Sequence, residues 1–99
     1  QLLVHLLKLD YSPARDPRRG WFEEVQNARA EIADRLADSP SLAPQAEGIM
    51  AEVWSRARRQ ALNALSAFGE QVQLPEDCPY SLQQALDETF FPDGPGSRR

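Results

Sequence analysis

The sequence holds one cysteine, one histidine and one methionine in 99 residues, and each scarcity closes off a class of protein. A single cysteine excludes an internal disulfide framework and a four-cysteine zinc site. A single histidine excludes the paired H-E-x-x-H arrangement of helical metal enzymes. Long apolar runs are missing as well. The longest, Leu2 to Leu9, is interrupted by His5 and Lys8, far short of the roughly 20 apolar residues that a membrane-spanning helix needs. Strand-period alternation never persists beyond a few residues, no internal repeat is visible, and no glycine-rich loop could cradle a phosphate.

What is present favours helix. Twelve leucines and thirteen alanines stand in a chain of net charge −4, and alanine and leucine are the strongest helix formers. The length fits one small domain with a modest core. A soluble, cytoplasmic, all-α protein is the expectation. Leu2, Leu3, Leu6, Leu7 and Leu9 mark an apolar helix face with no capping residue before it, so Gln1 to Leu9 reads as the end of a longer helix. Asp10 to Gly20 is a connection in which Asp16 and Pro17 suit the N-cap and first position of the next helix. Its stripe runs Trp21, Val25, Ala28, Ile32, Leu36.

The serines and prolines of 38–44 make a break, with Ser39 or Ser41 capping a second long helix. Its stripe includes Leu42, Ala46, Ile49, Met50, Val53, Trp54, Ala57, Ala61, Leu65 and Phe68, and Gly69 suits the position just past its end. An arm with Pro75 and Pro79 then leads to a Ser81–Gln84 capping box, which opens a short helix. The predicted architecture is a small bundle: two long antiparallel helices, a partial first helix and a short C-terminal helix. The domain covers 1–92, followed by a disordered tail, 93–99. The predicted core comprises Leu3, Leu6, Leu7, Val25, Ile32, Leu36, Ile49, Val53, Trp54, Leu65 and Phe68.

Several short motifs are spread along this framework: His5-Leu6-Leu7-Lys8, Pro13, and Trp21 opening a helix that carries Arg29 and Ile32. Asp38-Ser39-Pro40-Ser41-Leu42 and Pro75-Glu76-Asp77-Cys78-Pro79-Tyr80-Ser81-Leu82 complete the set. With these residues the chain resembles a bacterial family, domain-of-unknown-function family 29, over residues 1 to about 92. The resemblance implies an almost wholly helical fold and an additional upstream helical segment. It implies no activity, ligand or catalytic residue. Pro44 and Gly20 depart locally from the family pattern.

The chemistry-bearing residues are few. His5 lies between leucines, and a metal-dependent enzyme built on it would need ligands from upstream. Cys78 stands beside Glu76 and Asp77, which oppose the lowered pKa of a nucleophilic thiol. Trp21 and Trp54 fall on apolar stripes and read as core. Glu23 with Glu24, and Asp87 with Glu88, point apart on a helix and form no acid–base dyad. No cofactor is expected. Two arginine clusters, Arg15, Arg18 and Arg19, then Arg56, Arg58 and Arg59, could join into a nucleic-acid patch. Arg56 and Arg59 are predicted opposite the apolar stripe, with Glu31–Arg35 and Glu52–Arg56 spaced as ion pairs one turn apart. The net acidity of the chain argues against nucleic acid.

A non-enzymatic helical interaction module is the favoured reading, with Leu2, Leu3, Leu6 and Leu7 as its contact surface. A nucleic-acid accessory role is the alternative. Four leucines left without the rest of their helix would make a lone monomer marginal, so a homodimer or a protein partner is expected.

Overall fold

The computed structural model describes residues 2–95. Its elements run α1 (Leu2–Tyr11), α2 (Arg18–Asp38), a 3₁₀ helix (Pro40–Gln45), α3 (Ala46–Ala67) and α4 (Leu82–Leu86), with no strand among the described residues. The fold is all-α. No helix among these residues is long and apolar enough to cross a membrane.

α1 forms the centre. Leu2, Leu3, Val4, Leu6, Leu7 and Leu9 are all buried, Leu6 and Leu7 completely, as a helix that is apolar on every side requires. It packs on both α2 and α3, whose principal contacts are with α1 and the 3₁₀ segment rather than with each other. α2 turns Val25 inward, flanked by half-buried Trp21, Ala28, Ile32 and Leu36. α3 buries Trp54, Ala57, Ala61 and Leu65.

Three residues predicted in the core lie outside it: Leu36 is half-buried away from the core cluster, and two more are exposed. Phe68 is 82% exposed; it is the C-cap of α3, one residue past the last helical position. Gly69 takes φ +80, its N–H donates to Ser66 O, and the Glu70 N–H donates to Leu65 O. That pair of bonds is a Schellman motif, and it ends α3 at the predicted glycine. Ile49, 45% exposed, lies on an open face of α3.

The helix starts also differ from the predicted caps. α2 begins after Pro17, and neither Asp16 nor any other side chain caps it. A backbone turn supplies the first bond instead, from Arg18 N–H to Arg15 O. Ser39 caps with no side-chain bond. Pro40 and Pro44 lack the donors an α-helix needs, so 40–45 winds as 3₁₀ and α3 starts only at Ala46. The Ser81–Gln84 capping box forms in both directions.

The arm between α3 and α4 has no helix or ladder to satisfy its carbonyls, so side chains do it. Trp54 Nε1 donates to Glu76 O at 2.6 Å. Arg58 forks onto Pro75 O and Leu74 O at 2.8 and 3.0 Å. Beyond α4, Arg18 bridges Leu9 O and Pro92 O. Gly94 is buried at φ +69, where an added Cβ would lie 2.6 Å from Leu9 O. The chain therefore stays packed on α1 past the expected boundary at 92; residues 96–99 of the expected tail lie outside the described residues.

Candidate functional site

α3 carries two neighbouring apolar stripes, and only one is covered. Trp54, Ala57, Ala61 and Leu65 face the core. One step around the helix, Ala46, Ile49, Val53 and Gln60 line an open groove of about 500 Å³. The opposite wall is the C-terminal half of α2, with Ile32 and Leu36. Leu42 of the 3₁₀ helix closes one end, and Leu82 and Leu86 of α4 close the other. Leu2 and Leu3 form part of the floor. The 3₁₀ helix joins the two walls in sequence while α1 wedges between them, which is why they stand apart here.

Among the described residues, Arg35 and Arg56 are the charged residues that line the groove. Both are exposed, and neither pairs with Glu31 or Glu52 among the described residues. Their predicted ion pairs one turn away do not form. Arg56 was also expected opposite the apolar stripe; it instead borders the open one, on the same face as Val53 and Gln60. The groove thus combines a mostly apolar lining with two guanidinium groups that have no partner among the described residues.

A family model described as "Domain of unknown function DUF29" matches residues 1–91. The chain belongs to the DUF29 family. No curated protein and no solved structure matches it.

In this DUF29 domain the other singled-out residues are distributed as follows. Leu2, Leu3, Leu6 and Leu7 lie in the domain's own core, and of the four Leu2 and Leu3 also line the α2–α3 groove. The arginine clusters remain apart. Arg18 is committed to Leu9 O and Pro92 O, and Arg58 to the arm. Arg15 lies beside Arg18 at the start of α2, and Arg56 shares the groove with Arg35, about 25 Å of helix rise away from Arg18. Arg15, Arg19 and Arg59 are exposed.

His5 is buried on α1, and no group of three or more metal-ligating side chains converges among the described residues. Cys78 is half-buried, with its thiol directed at Tyr80 O at 3.5 Å. Burial pushes the thiol above its ordinary value, although the Tyr80 contact acts the other way.

Arg29 is the residue whose structural role the sequence reading missed. It is 5% exposed, forks onto Ala85 O at 2.8 Å and Gln84 O at 3.2 Å, and lies over the Phe91 ring at 5.0 Å. Burial pulls the guanidinium below its ordinary value, with Asp87 and Glu88 acting to raise it. It fastens α4, and with it one end of the groove, to α2. Asp10 and Tyr80 fasten the other side of the arm: Asp10 is fully buried, and the Tyr80 hydroxyl donates to its Oδ2 at 2.7 Å. The available signal for Arg29 was its spacing, one turn from both Val25 and Ile32 on a buried stripe.

Proposed function

We propose that this DUF29 domain is a non-enzymatic helical interaction module and that the α2–α3 groove is its docking surface. The observation that carries the reading is an apolar groove of about 500 Å³ on a domain whose remaining large apolar side chains are mostly packed away. The charged groups lining it are arginines, whose planar fork of donors suits pairing with carboxylates. Binding fits this lining better than proton-transfer chemistry. The proposal includes a cytoplasmic setting, supported by a free, half-buried thiol that a reducing compartment preserves.

The test is a titration of a neutral amphipathic helical peptide of about 15 residues, long enough to hold a helix, into methyl-labelled protein. The expected result is saturable shifts at Ile32, Ile49 and Met50. Ile49→Glu should abolish them while leaving stability within about 0.5 kcal/mol, as for other surface substitutions. A protein that shows no such shifts contradicts the proposal.

A further inference from the structure

We infer that the groove's occupant is an acidic amphipathic α-helix supplied by another protein. This rests on the docking reading above and deepens it by naming the partner's chemistry. Three observations select it.

The first concerns the backbone of whatever enters. The groove walls are helices whose N–H and C=O groups are already spent internally, and the lining is mostly apolar. An extended peptide laid there would bury most of its backbone donors and acceptors unpaired. A helix satisfies its own, so only a helix enters an apolar groove without that cost. The dimensions suit one: Ala46 to Gln60 spans about 21 Å of α3, or four helical turns. Apolar anchors one turn apart on the partner would face Ala46, Ile49 and Val53 in succession.

The second is charge. In a chain of net charge −4, the groove inverts the balance: the described residues lining it include no carboxylate and two guanidinium groups, one on each wall. Among the described residues neither Arg35 nor Arg56 has a hydrogen-bond or ion-pair partner. Glutamates flanking the partner's apolar stripe would meet both, and lysines there would be repelled.

The third argues against a second copy of this chain. A two-fold contact would set the same patch on itself. It would face concave surface with concave surface and bring Arg35 and Arg56 of one copy towards those of the other. Like charges across an interface disfavour it.

The experiment compares three helical peptides of about 15 residues with the same leucine stripe and flanks of glutamate, glutamine or lysine. Each is titrated into the 99-residue protein by calorimetry at low and high salt. The acidic peptide should bind about tenfold tighter than the neutral one at low salt, with that advantage shrinking as salt screens it. Arg35→Glu with Arg56→Glu should reverse the order in favour of the lysine peptide. Should that variant melt lower than the parent, Arg35→Gln with Arg56→Gln gives the same answer by erasing the acidic advantage.

Equal binding of all three peptides would overturn the acidic assignment and leave the docking reading standing. Binding by none would overturn both. Sedimentation showing a dimer of the parent that Ile49→Glu dissociates would give the groove to a second copy and overturn the assignment.

Discussion

Arg29 lies between Val25 and Ile32 on the inward stripe of α2, and its guanidinium, rather than an apolar group, fills that position. One Nη atom is buried without a hydrogen-bond partner, a cost offset by the two carbonyl bonds and the Phe91 face. The planar fork is what matters, because an ammonium cannot reach two carbonyls in one plane or stack on a ring. Arg29→Lys should therefore cost roughly 2–3 kcal/mol, read as a lowered denaturant midpoint with unchanged slope. A midpoint equal to that of the parent would show that the fork contributes nothing. Cys78 makes a complementary point about pH. Its thiol is raised by burial, so the folded state favours the protonated form. That preference is fully present below the unfolded thiol's pKa and is lost as pH rises through the folded one. Native alkylation should accordingly need a higher pH than alkylation of the unfolded chain, and coincident pH profiles would contradict it.

Elements were legible in proportion to how local their causes are. Periodicity gave both long stripes, Gly69 gave the end of α3, and Ser81 with Gln84 gave the start of α4, because each depends on a few neighbouring residues. The starts of α2 and α3 were misplaced because backbone turns and paired prolines, not side-chain caps, set them. The groove is not legible in the sequence as an open face, although its residues fall on the predicted stripes. The stripe of α3 is wider than one neighbour covers, and which edge stays open depends on how α1 is wedged in, a tertiary fact. The glycines divide along the same line. Gly20 and Gly48 are helical with open space where a Cβ would go, so Gly48→Ala should stabilise by roughly 0.5–1 kcal/mol through helix propensity alone. Gly94→Ala should destabilise by more than that, since its positive φ and the Leu9 carbonyl both oppose a Cβ. Thermal melts of the two variants should move in opposite directions.

At the scale of the whole molecule, a central helix is enclosed by two long ones and then strapped by an arm held largely by side chain to carbonyl bonds. Releasing the strap should expose Cys78 before the helices melt. Trp54→Phe with Arg58→Lys removes arm bonds worth roughly 2 kcal/mol, so alkylation of native Cys78 should accelerate by roughly 10–30-fold while helicity by circular dichroism stays constant. Equal rates in parent and variant would show that the arm is held by packing alone. The strap also bears on the order in which the chain folds. Tyr80 and Asp10 are separated by 70 positions and Arg18 and Pro92 by 74, and closing a loop of that size costs about 4 kcal/mol of chain entropy. Helices form and meet through nearer contacts first, so these distant fastenings come after the folding barrier. Substitutions in the strap then shorten the lifetime of the native state and leave the speed of its formation almost untouched.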